Sequence, residues 1–269
     1  MMVNQPIIMG VLNITPDSFS DGGLFLDSIS AVTQAQLMVA EGAGIIDIGG
    51  ESTRPGAPEV SSDDELKRVI PVIKALSGSI DVPISIDTSK PIVMKEAFAA
   101  GASIINDVNA LRSDGALQMA AELGADVCLM HMQGNPRTMQ ANPTYDNVVD
   151  DVKEFFHERI AACESAGIQL DSITIDPGFG FGKNLGHNIA LLKNLSEFHD
   201  FGVSILAGLS RKSMIGALLG DKDVDSRLIG SVTAALIAAE NGADIIRVHD
   251  VSETKDALTV WAQIQNFRE

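Results

Sequence analysis

The feature that most constrains the fold is a regular alternation of short apolar runs with longer segments of helical periodicity. Most of the short runs are continuously apolar rather than alternating, which is typical of parallel strands buried on both faces. They therefore predict eight strands. The runs are Ile7–Leu12, Ile45–Ile48, Pro83–Ile86, Ser103–Asn106, Asp126–Met130, Ser172–Ile175, Ser204–Ala207 and Asp244–Val248.

The segments between these runs carry apolar residues three or four positions apart, which predicts amphipathic helices. Five of the segments stop at a glycine, the residue that most easily takes the left-handed conformation that closes a helix. These glycines are Gly42, Gly101, Gly124, Gly167 and Gly242. The segments are Ser28–Glu41, Asp63–Leu76, Lys90–Ala100, Ala116–Leu123, Val148–Ala166, Asn188–Leu195, Arg227–Asn241 and Thr254–Phe267.

Eight strand–helix units in strict alternation predict an α/β fold, a (β/α)8 TIM barrel. The length of 269 residues suits one such domain, so we expect residues 1–269 to form a single barrel. An open, doubly wound parallel sheet is the alternative.

The composition limits the classes of binding partner that the protein can have. The formal net charge is −17, and such a surface repels nucleic acid and anionic membranes. The two cysteines are too few for a disulfide scaffold. No charged leader precedes the first strand and no apolar run reaches the length of a membrane span, so we expect a cytoplasmic protein.

Polar residues follow almost every predicted strand. In TIM barrels the chemistry lies at the carboxyl ends of the strands, so we expect the active site there. Taken singly, Asp87, Asn106 and His131 each have a structural explanation. Their convergence with the polar residues of the other strand ends favours a functional site. The other strand ends contribute Asn13, Thr53, Arg54, Asp176, Ser210, Arg211, Lys212, Ser213, Arg247, His249 and Asp250.

The residue types at this mouth predict the ligand class. Asp87, Asn106 and Asp176 offer oxygen acceptors that suit a ring with several N–H donors, such as an aminopyrimidine edge. The cations Arg211, Lys212, Arg247 and His249 favour an anionic group, most simply phosphate. The expected ligand is a donor-rich heterocycle that carries phosphate.

Eight motifs, found in order between Ile8 and about Val251, resemble those of the dihydropteroate synthase family, the folate-pathway transferases that sulfonamides target. Each motif is several residues long, and none departs from the family pattern. They are Met9–Gly23 (MGVLNITPDSFSDGG), Gly49–Gly56 (GGESTRPG), Ile86–Lys90 (IDTSK), Ile104–Val108 (IINDV), Leu129–Pro136 (LMHMQGNP), Ile175–Lys183 (IDPGFGFGK), Gly208–Gly216 (GLSRKSMIG) and Arg247–Val251 (RVHDV).

The resemblance implies a reaction, a cofactor and an assembly. The family condenses (7,8-dihydropterin-6-yl)methyl diphosphate with 4-aminobenzoate, and the products are 7,8-dihydropteroate and diphosphate. Magnesium assists by binding the diphosphate, and the family forms homodimers through the later helices.

The resemblance also implies residue roles. Asp87, Asn106 and Asp176 would bind the pterin edge, and Lys212 its carbonyl and ring nitrogen. Arg247 would stack on the pterin and, with His249 and Asn13, bind the diphosphate, while Asn13 would also bind magnesium and Thr53 would contact the same substrate.

The resemblance implies that Met130 and Phe181 line the pocket and that Ser213 binds the benzoate carboxylate. Phe19, Arg54 and Pro55 would lie in the loops of the benzoate and sulfonamide subsite.

No side chain is an evident nucleophile, so we expect a dissociative reaction in which Asp87, Lys212, Arg247 and His249 act as catalytic residues. Three other readings stand beside the synthase. They are a methyltetrahydrofolate-dependent methyltransferase, a non-catalytic pterin-binding module, and a phosphate-binding isomerase or aldolase. The diphosphate-gripping motifs favour the synthase over all three.

Overall fold

The computed structural model of the chain describes residues 4–14, 23–52, 57–134 and 138–267. Within these ranges the strands lie side by side in chain order, all parallel, and β8 pairs with β1 to close the barrel. The predicted TIM barrel is therefore confirmed, and the open sheet is excluded. The strands are β1 (Ile7–Asn13), β2 (Ile45–Gly49), β3 (Ile84–Asp87), β4 (Ile104–Asp107), β5 (Asp126–Met130), β6 (Ile173–Asp176), β7 (Ser204–Ala207) and β8 (Ile245–Val248).

The helices follow the predicted segments closely. Two differences stand out: α1 begins at Gly23, five residues before the predicted start, and a short helix follows β7 where no helical periodicity can be read from six residues. The helices are α1 (Gly23–Ala40), α2 (Ser62–Leu76), α3 (Pro91–Ala100), α4 (Ala116–Leu123), α5 (Val148–Ser165), α6 (Leu185–Lys193), α7 (Ser213–Leu218), α8 (Leu228–Glu240) and α9 (Val251–Asn266).

All five glycines predicted to close helices have positive φ, between 62° for Gly124 and 119° for Gly101. Each lets the chain reverse after a helix and enter the next strand, as Gly101 does between α3 and β4. These glycines therefore act as helix-closing turn residues in the five units where they occur.

The interior of the barrel is layered. Side chains alternate along a strand, so every second residue points inward. One inward layer is an apolar cluster of Met9, Ile45, Cys128, Leu206 and Ile245. Two residues further along the same strands, the next layer contains Asp47 and Arg247, so the barrel changes from apolar to polar toward its carboxyl end.

The main core lies between the barrel and its helices and is chiefly aliphatic, with Phe156, Phe179 and Phe198 as its largest side chains. This core fixes the strands, and with them the positions of the residues at their ends. Among the described helices, none is both long and apolar enough to cross a membrane.

A glycine pair tests the helix-closing role. Gly101→Ala places a Cβ at φ 119° and 2.5 Å from the Ser77 Cβ, whereas Gly124→Ala at φ 62° meets nothing within 4 Å. We expect Gly124→Ala to cost about 1 kcal/mol of unfolding free energy and Gly101→Ala roughly 2–4 kcal/mol. Urea denaturation measures both, and equal losses would contradict the steric argument.

Candidate active site

The polar layer is organised around Arg247 on β8. Its Nε donates to Asp47 Oδ2 at 2.7 Å and its Nη2 donates to Asp87 Oδ2 at 2.9 Å. Nη2 also forms an ion pair with Asp47 Oδ2 at 2.6 Å. Asn106 Nδ2 donates to the same Asp47 oxygen at 3.0 Å. These four residues therefore form one hydrogen-bonded cluster across the barrel mouth.

A second group converges on the space above Gly208, just after β7. A Cβ at Gly208 would lie 3.8 Å from Arg247 Cβ and 4.0 Å from both Asp176 Oδ2 and Lys212 Nζ. The missing side chain thus leaves room where the Asp176 carboxylate and the Lys212 ammonium group face the base of the Arg247 side chain. Lys212 donates to the Phe179 carbonyl, and its ammonium lies 4.6 Å from the centre of the Phe181 ring.

Glycine makes a similar opening at the end of β2. A Cβ at Gly49 would lie 3.7 Å from Asn13 Oδ1 and 3.8 Å from Asp87 Oδ2. The register places Gly49 opposite both Asn13 and Asp87. Strands β1, β2 and β3 therefore present an amide oxygen and a carboxylate to one space.

A buried lysine, Lys183, stabilises the loop after β6. Lys183 Nζ lies 2.8 Å from His131 Nδ1 and donates to the carbonyls of His131 and Phe181 at 3.3 and 3.1 Å. Asp176 accepts from the Gly178 N–H at 2.7 Å. These bonds fix the Asp176 carboxylate and the position of Phe181.

The loops after β7 and β8 are joined by two polar pairs. Ser210 Oγ lies 3.0 Å from His249 Nδ1, which fixes the imidazole ring. Arg211, whose φ is 58°, forms a two-pronged ion pair with Asp250 at the start of α9. The charge of its guanidinium is therefore already neutralised by Asp250, whereas the sequence predicted that Arg211 is one of the cations that bind phosphate.

An apolar wall borders the polar groups. Met130, Met132 and Met139 form a buried cluster against which Val108 and Phe181 pack. Met130 and Phe181 thus lie in one apolar cluster, and their role as walls of a ligand pocket stays a prediction.

Burial shifts the pKa values of the charged groups at the barrel mouth toward neutral pH. It raises the pKa of Asp87 to about 7, although Arg247 opposes the shift. Burial also raises the pKa of Asp176, against the opposing effect of Lys212. It lowers the pKa of Lys212 to about 8 despite the nearby Asp176. Perturbed groups clustered in one cleft are typical of an active site.

Comparison with known proteins identifies the family. The family model of pterin-binding enzymes matches residues 9–249. Dihydropteroate synthase of Escherichia coli (strain K12) is 57% identical over 258 residues, which are 96% of this chain and 91% of that protein. The chain belongs to the dihydropteroate synthase family. It is a pterin-binding transferase, so the family and the enzyme class inferred from the motifs are confirmed.

Solved structures of dihydropteroate synthases share the fold. The Yersinia pestis enzyme, solved with a sulfonamide drug complex, matches with a TM-score of 0.93 at 52% identity, over 98% of this chain and 95% of that one. The Xanthomonas albilineans enzyme in complex with 7,8-dihydropteroate matches with a TM-score of 0.90 at 47% identity, over 100% and 97%.

The described part of the chain brings most of the predicted site residues together. Asp87, Asn106 and Arg247 share the cluster around Asp47, while Asp176 and Lys212 approach Arg247 across Gly208. The Asn13 oxygen lies with Asp87 at the opening beside Gly49, His249 is tied to Ser210, and Ser213 is exposed at the start of α7. Phe19, Thr53, Arg54 and Pro55 lie outside the described residues, and the individual ligand roles remain predictions.

Sequence reasoning missed Asp47, which is fully buried inside β2. Its signal was available: an acidic residue interrupts the otherwise apolar run Ile45–Ile48, two positions before Gly49. Asp47 lies within β2 and not after it, where the polar residues of a TIM-barrel site are expected. The role of Lys183 was missed as well, since nothing in the glycine-rich loop shows that its lysine is buried.

A glycine substitution tests the packing beneath the site. At Gly178 (φ 72°) a Cβ would lie 1.9 Å from the His131 carbonyl oxygen, whereas at Gly202 (φ 69°) the nearest atom is 4.0 Å away. Gly178→Ala should therefore lower the free energy of unfolding by about 3 kcal/mol and displace the loop that follows Asp176, while Gly202→Ala should lower it by about 1 kcal/mol.

Binding of 6-hydroxymethylpterin, measured by calorimetry, should fall at least about tenfold for Gly178→Ala and stay near wild type for Gly202→Ala. Wild-type affinity in Gly178→Ala would show that the loop moves without disturbing the site.

Proposed function

We propose that this barrel mouth condenses (7,8-dihydropterin-6-yl)methyl diphosphate with 4-aminobenzoate, which gives 7,8-dihydropteroate and diphosphate. The observation that carries the proposal is that Asp176 Oδ2, Lys212 Nζ and Arg247 Cβ all lie within 4.0 Å of the Cβ position at Gly208. That space offers a carboxylate and an ammonium group for a pterin edge, and the Arg247 guanidinium beside Asp87 offers a cation for an anion. The Xanthomonas relative that holds 7,8-dihydropteroate supports the same product.

In this proposal the acceptors bind the pterin. Asp176 and Asn106 accept hydrogen bonds from the amino-pyrimidine edge, and Lys212 donates to the pterin carbonyl and ring nitrogen. Asp176 is held by the Gly178 N–H and Asn106 by Asp47, so neither oxygen has to be reoriented when the substrate arrives. Met130 and Phe181 line the apolar side.

The diphosphate lies toward Arg247, His249 and Asn13, with Thr53 in contact with the same substrate. Ser213, at the start of α7, receives the carboxylate of 4-aminobenzoate. Phe19, Arg54 and Pro55 complete the benzoate subsite, which is also where sulfonamides bind.

Magnesium fits this arrangement. The ion usually takes one or two protein oxygens and completes its shell with water and substrate phosphates. The Asn13 amide oxygen beside the Asp87 carboxylate is suitable, and within the described ranges no group of three or more His, Cys, Asp or Glu side chains forms a metal cage. When bound, magnesium would neutralise charge on the diphosphate.

The reaction we propose is dissociative. The bond between the methylene carbon and the diphosphate oxygen breaks first, and diphosphate leaves with the electron pair. The pterin ring donates electrons to the methylene cation, and the Asp87 carboxylate stabilises its charge. The amine of 4-aminobenzoate then forms the new carbon–nitrogen bond and loses a proton.

The assembly and location are proposals of the same kind. Large apolar side chains are exposed on α8 and α9, among them Ile229, Ile237, Val260 and Ile264. A homodimer through the later helices would cover such a surface. We propose that the enzyme acts in the cytoplasm.

A diphosphate-release assay tests the reaction. Purified protein, magnesium and the pterin diphosphate are mixed with and without 4-aminobenzoate. We expect rapid release only with 4-aminobenzoate, inhibition by a sulfonamide, and slow release in its absence if the route is dissociative. No release from protein shown to be folded would overturn the proposal and leave the binding-module reading.

Asp87→Asn tests the catalytic carboxylate. Losing one preorganised charge should lower kcat about 100- to 1000-fold, with a much smaller rise in KM. The exposed Asp126 at the opposite end of the barrel supplies the control Asp126→Asn, which should retain full turnover.

The pH profile of kcat/KM checks the same residue. Asp87 must be ionised, so activity should fall as the pH drops below its pKa of about 7. Lys212 must be charged, so activity should also fall as the pH rises above its pKa of about 8. Unchanged turnover in Asp87→Asn, or an acid limb that persists in it, would remove the role of Asp87.

A further inference from the structure

Asp47 is assigned no contact with either substrate in the function proposed above, yet it lies at the centre of the polar cluster. It is inside β2, fully buried, and its register partners are Val11 on β1 and Ser85 on β3. One of its oxygens, Oδ2, accepts from Arg247 and Asn106 together. A buried carboxylate that binds two residues of the substrate site can set the orientation of both.

The bond to Asn106 determines which end of the amide faces a ligand. An asparagine side chain has one donor end and one acceptor end, whereas an ionised carboxylate can only accept. Asp47 therefore engages the Nδ2 end, at 3.0 Å. Turning the amide over would place two oxygens against each other in a buried site. The Asn106 oxygen is thus left to accept from the N–H groups of a pterin.

The bonds to Arg247 determine the pose of the guanidinium. Nε and Nη2 reach the same Asp47 oxygen at 2.7 and 2.6 Å, and Nη2 bridges onward to Asp87 at 2.9 Å. Within the described residues, these contacts involve Nε and Nη2 only, and the side chain keeps about 22% of its surface exposed. The Nη1 group is left for an anionic ligand.

We propose that Asp47 is a positioning residue for both halves of the substrate: it holds Asn106 as an acceptor for the pterin ring and Arg247 as a donor for the diphosphate. This inference rests on the proposed function, because it assigns those two halves to Asn106 and Arg247. Asp47 itself touches neither half.

Asp47→Asn tests the proposal, because the amide keeps the shape but no longer dictates the orientation of Asn106. We expect the affinities for 6-hydroxymethylpterin and for inorganic diphosphate, each measured alone by calorimetry, to fall about 10- to 100-fold. Wild-type affinity for both ligands would overturn the proposal. A loss confined to one ligand would overturn the shared role.

Ser85→Ala is the matched control. Ser85 lies opposite Asp47 in the register and is equally buried, and its hydroxyl has no partner among the described residues. The substitution disturbs the same barrel layer without touching Asn106 or Arg247. We expect both affinities to stay within about twofold of wild type. An equal loss in Ser85→Ala would show that any disturbance of this layer is sufficient.

An exchanged pair separates orientation from stability. Asn106→Asp alone sets two carboxylates against each other, and it should lose most pterin affinity. Adding Asp47→Asn restores one donor end and one acceptor end in reversed positions. The double variant should therefore bind 6-hydroxymethylpterin at least about tenfold more tightly than Asn106→Asp. Additive losses would overturn the orientation role.

Thermal denaturation shows whether each variant is folded at the assay temperature. If either single variant does not fold, the double variant is compared with wild type, and folded protein that fails to bind the pterin overturns the proposal. Wild-type protein that binds neither ligand would instead overturn the proposed function. If the wild-type protein binds both ligands and Asp47→Asn binds them with the same affinities, only the role of Asp47 is overturned.

Discussion

The ion pair between Arg247 and Asp47 inside the barrel is the interaction on which the site depends. Burying either charge alone would be very costly, so each requires the other. Because the two residues belong to β8 and β2, their pairing reaches across β1, which lies between those strands. Asp87 contacts Arg247 Nη2 and Asn106 contacts Asp47 Oδ2, and these bonds tie the ends of four strands into one rigid arrangement.

Rigid charges alone do not make a binding site, because a ligand also needs space. Gly49 and Gly208 provide it by having no side chain where the polar groups converge. Directly below Gly208, Leu206 on β7 fills the barrel, and below Gly49 on β2 the inward positions carry Asp47 and then Ile45. The barrel is thus filled at one level and open at the next.

Most of the fold could be predicted from the sequence, because buried parallel strands and glycine-closed helices each have a local pattern. The ends of β5 and β7 follow from the apolar runs alone. Asp47 could not be assigned in the same way, since its role depends on a partner 200 positions away. Arg211 shows the reverse error: its charge suggested a phosphate ligand, but Asp250 neutralises it. Local sequence identifies charged residues, and only the fold shows which charges are already paired.

The charges of the mouth also bear on the proposed metal. Among the described residues that meet there, Asp47, Asp87 and Asp176 face two cations, Arg247 and Lys212. This set carries an excess of negative charge in a chain that is itself strongly acidic, so further positive charge would strengthen the binding of a diphosphate. Burial raises the pKa of Asp87 to about 7, so nearby positive charge would favour its ionised form at neutral pH. A divalent ion that arrives with the diphosphate would supply that charge, which is a physical reason for magnesium independent of the family resemblance.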